Sequence, residues 1–266
     1  MKSENLMDAL DTELAQSMLS RRAAILRGAA ASSAVIAGLS MASVPVGLAA
    51  LATDAHAQGG LPSGIVDILN FALTLEFLEA EFYTKGVESP SLLSGGAREV
   101  ADQIRIHEVA HVAFLQSALG SKAVTKPTFD FSGGKGRNNG PFGDAFTNPQ
   151  TFWTLAQAFE DTGVRAYKGQ APNLMGNNDV LQAALQIHSV EARHAAQVRR
   201  MRQQKGWITG DSRGDMPPAT QAIYEGDDNR FQFILAQSDN ANSWTEAFDE
   251  PLTKAQVLAI VAPFLA

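Results

Sequence analysis

Cysteine is absent from the 266 residues of this chain. Without a thiol, the protein can form no disulfide, no zinc–thiolate site, no iron–sulfur cluster and no thiol nucleophile. Basic residues are also scarce, with 21 Lys and Arg against 28 Asp and Glu, so the net charge is −7. That balance argues against nucleic acid as a partner, because its phosphates are held by positive charge. Any metal site must therefore be built from His, Asp, Glu or Tyr.

Charged residues are missing altogether from Gly28 to Thr53. This stretch follows the pair Arg21-Arg22 and precedes Ala55-His56-Ala57, a small-x-small sequence of the kind that signal peptidase cleaves. The pattern resembles a twin-arginine export signal over residues 1–57. We therefore expect a periplasmic or secreted protein that has no membrane contact once the signal is removed. The alternative is a retained anchor, because 26 uncharged residues are long enough to span a bilayer.

Four segments of the remaining chain have the apolar spacing and the end signals of long helices. Gly120 and Gly206 are natural C-terminal stops, and Asn148-Pro149 is a helix start with an Asn cap and Pro in the first turn. The predicted helices run from Pro62 to Gly86, from about residue 97 to 119, from about 147 to 169, and from 177 to 205.

The connections between these helices are unequal. Short polar turns join the first helix to the second and the third to the fourth, which favours antiparallel pairs. Residues 121–146 are too glycine-rich for a helix but long enough to cross a bundle from end to end. The fold we predict is all-α: a four-helix bundle over residues 58–206 with one long crossover. A loop-rich C-terminal extension follows over residues 207–266, with a terminal helix from about residue 253 to 265 and a solvated acidic turn at Asp227 and Asp228.

Two Glu-x-x-His motifs lie on alternate predicted helices. Glu108 and His111 belong to the second helix, and Glu191 and His194 belong to the fourth. The i, i+3 spacing puts both side chains of each motif on one helix face. One such motif arises easily by chance on a solvated helix, whereas two on alternate helices of one bundle are a much stronger signal.

The first and third helices carry a second repeated pattern. Glu76 is followed seven residues later by Tyr83, and Glu160 is followed seven residues later by Tyr167. These pairs are offset by 84 residues, and the two Glu-x-x-His motifs are offset by 83. We interpret the bundle as two copies of a helix pair related by an approximate two-fold axis.

All four of these Glu residues fall on the apolar stripes of their helices, where a bundle would bury them. Burying an ionised carboxylate costs several kcal/mol, and four converging carboxylates also repel one another. The arginines nearby in sequence, at positions 105, 165 and 193, do not supply enough charge from the right faces. Two divalent ions would supply four positive charges, and carboxylate with imidazole suits Fe or Mn. The pattern therefore predicts two Fe or Mn ions held by Glu76, Glu108, His111, Glu160, Glu191 and His194.

This arrangement resembles the ferritin-like di-iron or di-manganese carboxylate proteins, which use one Glu from each of two helices and Glu-x-x-His from each of the other two. The resemblance covers about residues 61–206. Within that superfamily, the segments Leu69–Leu73 and Leu75–Tyr83 are similar to the ferritin-like domain family, which includes secreted bacterial proteins and plant desiccation-related proteins. The Glu250-Pro251-Leu252 segment and the apolar final helix are similar to that family too.

The resemblance implies a role for each predicted ligand. Glu108 and Glu191 would bridge the two metals, Glu76 and Glu160 would each bind one metal, and the motif histidines would give each metal one nitrogen. It also implies redox chemistry. The predicted function is an exported di-metal protein that oxidises Fe(II), or reduces or dismutates hydrogen peroxide, with O2, H2O2 or Fe2+ as its small-molecule partners.

An alternative function is a bundle without turnover, which binds metal or protects the cell structurally under stress or desiccation. Bundles of this kind often form homodimers, which we keep as an expectation.

Several residues near the predicted ligands have two interpretations. Glu79 shares the core stripe of the first helix, whereas the third helix has glycine at the matching position. It is either an additional metal ligand that breaks the symmetry or an acid just outside the ligand set. Tyr83 and Tyr167 are either catalytic, as radical or electron-relay sites, or core side chains that hydrogen-bond a ligand carboxylate. His107 and His188 are interpreted as surface or interhelix hydrogen-bonding residues.

Overall fold

The computed structural model describes residues 61–229 and 242–266. Within these ranges the chain is helical and contains no strand, only an isolated β-bridge between Phe129 and Leu265. The predicted all-α class is therefore confirmed. No helix in this part of the chain combines the length and apolar character needed to cross a membrane. The predicted export signal, residues 1–57, lies outside the described residues.

Four long helices form the bundle. Helix α1 packs along α2, and α3 packs along α4, while α1 also contacts α3 and α2 contacts α4. This is the arrangement of two antiparallel helix pairs that the short connections predict. The helices are α1 (Ser63–Glu88), α2 (Gly95–Leu119), α3 (Pro149–Gln170) and α4 (Asn178–Met201).

The helix ends follow from local sequence. Asn148 Oδ1 accepts a hydrogen bond from Gln150 N at 3.0 Å, which caps α3 as predicted. Gly120 ends α2 with a φ of +55°, a conformation that glycine adopts without steric cost. Helix α4 stops at Met201, four residues before the predicted end at Lys205. Gln203 explains the difference, because its φ of 59° leaves the right-handed helical region.

The crossover between α2 and α3 is held by a buried aspartate rather than by regular structure. Asp130 Oδ1 accepts hydrogen bonds from Ser132 N and Oγ, and its Oδ2 accepts one from Asn138 N at 3.0 Å. The backbone N–H of Asp130 donates to Phe264 O at 2.8 Å. The Asp130 carboxylate therefore holds the glycine-rich loop together, and a backbone hydrogen bond connects the loop to the C-terminal end of the chain.

The terminal helix α5 (Lys254–Val261) is shorter than predicted. Its start is a capping box, in which Gln256 N donates to Thr253 Oγ1 at 3.3 Å and Thr253 N donates to Gln256 Oε1 at 2.9 Å. The prediction that it continues to Leu265 is wrong. Pro263 lacks the N–H that an α-helix needs, and the chain tightens into a 3-10 turn over Ala262–Phe264.

The extension packs directly on α3. Leu252 N donates to Arg165 O at 3.1 Å, and a Cβ at Gly169 would lie 1.9 Å from Leu252 O, so only glycine allows this approach. Arg165 reaches outward to Glu250 O at 2.7 Å and lies 3.7 Å from Asp227 Oδ1. The prediction of a solvated turn is therefore wrong for Asp227, which is buried because it faces this arginine.

Candidate metal centre

Six side chains from four helices meet in the middle of the bundle. The four predicted Glu ligands are fully buried, and both motif histidines are buried as well. Their potential ligand atoms form two groups, and within each group the atoms lie within 4.8 Å of one another. One group is Glu76, Glu108, His111 and Glu191, and the other is Glu108, Glu160, Glu191 and His194.

The first group surrounds a single ring nitrogen. His111 Nδ1 lies 3.1 Å from Glu76 Oε2, 3.2 Å from Glu108 Oε2 and 3.1 Å from Glu191 Oε1. One ring nitrogen carries at most one proton, so it cannot satisfy three carboxylate oxygens. One nitrogen and three oxygens converging on one point are instead the donor set of a cation site.

The second group repeats this geometry around His194. Its Nδ1 lies 2.8 Å from Glu108 Oε1, 3.4 Å from Glu160 Oε2 and 3.8 Å from Glu191 Oε2. Despite these short distances, His194 Nδ1 makes no well-directed hydrogen bond within residues 61–229 and 242–266. The nitrogen faces the carboxylates without being bonded to any of them.

Two of the carboxylates face both groups. Glu108 directs Oε2 toward His111 and Oε1 toward His194. Glu191 directs Oε1 toward His111 and Oε2 toward His194. Glu76 approaches only the first histidine and Glu160 only the second. This placement is compatible with the bridging and single-metal roles, which remain predictions.

The centre lacks positive charge from the protein. Among the described residues, these four carboxylates form ion pairs with the two histidines and with no Lys or Arg. Glu108 Oε1, Glu160 Oε2 and both oxygens of Glu191 also lack a hydrogen-bond donor there. Each buried acceptor left unsatisfied costs about 1–3 kcal/mol, and more if it is charged. Bound cations would satisfy all of these atoms, and oxygen with imidazole donors fit Fe or Mn.

Comparison with known proteins agrees with this geometry. The sequence profile of the ferritin-like domain family matches residues 64–204, more than half of the chain, and that range includes all six candidate ligands. The chain belongs to the ferritin-like domain family. No curated protein shows significant similarity to it.

The acids of this ferritin-like domain have displaced pKa values. Burial raises the pKa of Glu76 well above its usual range, aided by the neighbouring carboxylates and opposed by His111. Burial also raises the pKa of Glu160, to about 8. Burial acts in the same direction on Glu108, but its contacts with His111 and His194 outweigh it and lower that pKa. Without metal, Glu160 therefore holds a proton near neutral pH, and a bound cation would displace it.

The two tyrosines cross between the halves of the domain. Tyr83 on α1 donates to Glu160 Oε1 on α3 at 2.5 Å, and Tyr167 on α3 donates to Glu76 Oε1 on α1. Burial raises both phenol pKa values well above the usual range, so both groups remain donors. Each tyrosine thus holds the outer oxygen of one carboxylate while the other oxygen faces the centre. The hydrogen-bonding interpretation is confirmed, and a catalytic role remains a prediction.

Glu79 lies beside the centre but outside both groups. A Cβ at Gly163, the matching position in α3, would lie 3.3 Å from Glu79 Oε1 and 3.5 Å from Glu191 Oε2. The missing side chain at Gly163 leaves the space that the Glu79 carboxyl group occupies. Burial, followed by the charge of Glu191, raises the pKa of Glu79 well above its usual range. The structure thus places Glu79 next to the ligand set, and its role as a ligand remains a prediction.

Sequence reasoning missed a second buried polar cluster, which joins Asp161 of α3 to α4 and the extension. Arg199 donates to both oxygens of Asp161, through Nε at 2.9 Å and Nη2 at 2.5 Å. Tyr224 of the extension donates to Asp161 Oδ2 at 2.7 Å. The helical periodicity predicts one buried face for α3, but the extension covers its outer face as well.

Proposed function

We propose that this ferritin-like domain binds two Fe or Mn ions and uses them for redox chemistry with H2O2 or O2. The observation that carries the proposal is the pair of four-atom donor sets sharing Glu108 and Glu191. Sharing two carboxylates would hold the ions close enough to act on one small substrate. When bound, two such ions would exchange one electron each with a peroxide or dioxygen molecule.

The source of electrons helps to choose among the possible reactions. The chain has no cysteine, so it carries no thiol or iron–sulfur donor of its own. Dismutation needs no external donor, because one H2O2 loses two electrons to become O2 while a second gains them to become two H2O. Oxidation of Fe(II) likewise takes its electrons from the substrate. We therefore favour these two reactions over peroxide reduction by a separate donor.

The protein's own groups would bind the ions and exclude water. The outer oxygens of Glu76 and Glu160 are held by phenol groups, which fixes the rotation of each carboxylate. Full burial of the four Glu side chains keeps bulk water away from the donor atoms. The Glu79 carboxyl group lies beside Glu191, and burial raises its pKa well above the usual range, so it is the group that can hold a proton at the edge of the site.

The central experiment is metal loading followed by turnover. We expect the purified protein, loaded without oxygen with Fe(II) or Mn(II) and then dialysed, to retain two ions per chain by elemental analysis. The Glu191→Gln variant keeps the side-chain size but removes a shared charge. It should bind metal more than about 100-fold more weakly, because losing a partner outside the ligand set already costs about 10–100-fold.

The matched control is Glu88→Gln, which removes an exposed acid from the end of α1 and should change nothing. H2O2 consumption and Fe(II) oxidation are then measured against the same concentration of free metal. Fewer than one ion per chain, with no effect of Glu191→Gln, would defeat the proposal. Two bound ions with no rate above that of free metal would support the non-catalytic, protective bundle instead.

We also propose that the protein works in the periplasm or outside the cell. The twin-arginine pattern supports this location. The test compares the N-terminus of the protein from a cell extract with the N-terminus of the protein from the exported fraction. Export without cleavage would favour a retained anchor. Gel filtration of the same sample tests the expected homodimer.

A further inference from the structure

The two candidate ligand histidines differ on their outer sides. His194 Nε2 lies 2.8 Å from His107 Nδ1, and the two rings are stacked with centroids 5.1 Å apart and planes 10° apart. His111 Nε2 has no hydrogen-bond partner in the part of the chain that the structure describes. The position that matches His107 at the 83-residue offset is Val190, an apolar residue. The two halves of the repeat therefore differ at this position: α2 has an imidazole where α4 has an apolar side chain.

The position of His107 has a consequence for the ring protons. His194 presents Nδ1 to the carboxylates, so it can bind a cation only if that nitrogen carries no proton. Its remaining proton must then sit on Nε2, from which it can be donated to His107 Nδ1. Histidines that bind metal usually donate their other N–H in this way, and the partner fixes both the tautomer and the ring orientation.

The chain of hydrogen bonds continues to the surface. His107 Nε2 lies 2.8 Å from the side-chain amide of Gln103, which is exposed. If His107 accepts at Nδ1, it donates from Nε2, and the Gln103 amide turns its oxygen toward it. The orientation of an amide is set by such a network. Every donor then has an acceptor, from His194 through His107 to Gln103.

We propose that His107 is a positioning residue that holds His194 in its Nδ1-binding form and makes the two metal positions unequal. This inference rests on the proposed metal binding. The His194 position gains a ring oriented in advance, whereas the His111 position has no such partner. The His194 position therefore binds its ion more tightly than the His111 position.

The test is a titration of the full protein with Mn(II), following free Mn(II) by electron paramagnetic resonance. We expect two sites of unequal affinity in the unmodified protein. His107→Leu should weaken the tighter site by about 10–100-fold and leave the other unchanged. In His107→Asn, the amide oxygen can take the place of Nδ1 as acceptor, so most of the lost affinity should return. Val190→Leu, at the matching position, should leave both sites as they were.

A second readout does not depend on activity. Nitrogen-15 spectra of Zn(II)-loaded protein should show His194 protonated at Nε2, with His107→Leu altering that signal. Equal affinities in the unmodified protein, or a His107→Leu variant that binds both ions normally, would overturn the inference while leaving the metal centre intact. Equal weakening of both sites would overturn it too. Failure of the unmodified protein to bind Mn(II) at all would overturn the proposed function as well.

Discussion

Two buried charged clusters lie next to each other on α3. Glu160 faces the bundle centre, and Asp161, the next residue, faces α4 and the extension. Both carboxylates are almost completely buried. Asp161 meets an arginine and a phenol, whereas Glu160 shares its pocket with other carboxylates, an imidazole and one phenol.

The difference between the clusters is in their charge balance. In the Asp161 cluster, Arg199 supplies a full positive charge through two hydrogen bonds, so the pair is complete within the protein. At the centre, acids outnumber the two histidines and several oxygens lack donors. A buried cluster that is balanced by its own residues needs no ligand to complete its charge. One that is not balanced points to a ligand that supplies the missing charge.

Asp161→Ala should give the largest effect that distinguishes the two clusters, a loss of stability without a loss of metal. It leaves Arg199 as an unpaired buried charge, which costs about 3–5 kcal/mol of the free energy of unfolding. Metal content should stay at two ions per chain. Urea unfolding and elemental analysis on the same sample measure both. Asp67→Ala, an exposed acid on α1, should stay within about 0.5 kcal/mol of the unmodified protein. A loss below 1 kcal/mol in Asp161→Ala would contradict the structural role of this pair.

Metal addition should have the next largest effect, and it should act only through the centre. Free metal at about 100 times its dissociation constant stabilises the folded state by about 2.7 kcal/mol for each site. Asp161→Ala should keep that gain, and Glu191→Gln should lose it. Thermal melting with and without Mn(II) measures the gain. An equal gain in Glu191→Gln would show that the ions bind elsewhere.

The metal-free protein should lose stability as the pH rises. The folded pKa of Glu160 is about 8, above its ordinary 4.5, so between these values the folded state keeps a proton that the unfolded state has released. This stabilising contribution is complete below pH 4.5 and is lost as the pH rises through 8, at up to about 1.4 kcal/mol per pH unit. The raised pKa values of His111 and His194 act in the same direction above pH 6.5.

Urea unfolding of metal-free protein at pH 6, 7 and 8 measures this slope. Because the pKa of Glu108 is lowered, its stabilising contribution is complete above pH 4.5 and does not change between pH 6 and 8. Glu160→Gln should make the slope shallower, because the amide has no proton to lose in this range, while the two histidines still contribute. Stability that increases from pH 6 to 8 in the metal-free protein would refute the expected ionisation of the centre.

The smallest effects should come from the crossed tyrosines. Tyr83→Phe and Tyr167→Phe each remove one hydrogen bond to a carboxyl group and should each cost about 1 kcal/mol, in equal measure. Chemical unfolding of both variants tests that equality. Their turnover decides between the two interpretations: a moderate, equal decrease fits positioning of the carboxylates. Loss of activity in one variant alone, with stability unchanged, would instead indicate a catalytic tyrosine.

Much of the centre was predictable because it rests on local geometry. The i, i+3 spacing of each Glu-x-x-His motif fixes both side chains on one face of any helix. The offsets of 83 and 84 residues then pair the halves without knowledge of the structure. The crossed bonds from Tyr83 and Tyr167 were not predictable in detail, because each joins residues on different helices.

The extension marks the limit of sequence reasoning. Asp161, Asp227 and Arg199 are charged residues, of a type that is usually exposed, but all three are buried. They are buried because residues far along the chain, including Tyr224, fold back over α3. Gly169 is a sequence feature related to this contact, because it permits the close approach of Leu252. A single glycine in a helix, however, does not identify the residue that packs against it.

The sequence by itself determined the four helices, their pairing and the six side chains that face one another, because helical period and chain order are properties of the chain alone. Only the tertiary structure decided which oxygen of each carboxylate faces which histidine, that His107 lies against His194, and that α3 is enclosed on all sides. Those features depend on distances between residues far apart in sequence, and such distances are set only when the helices and the extension pack together.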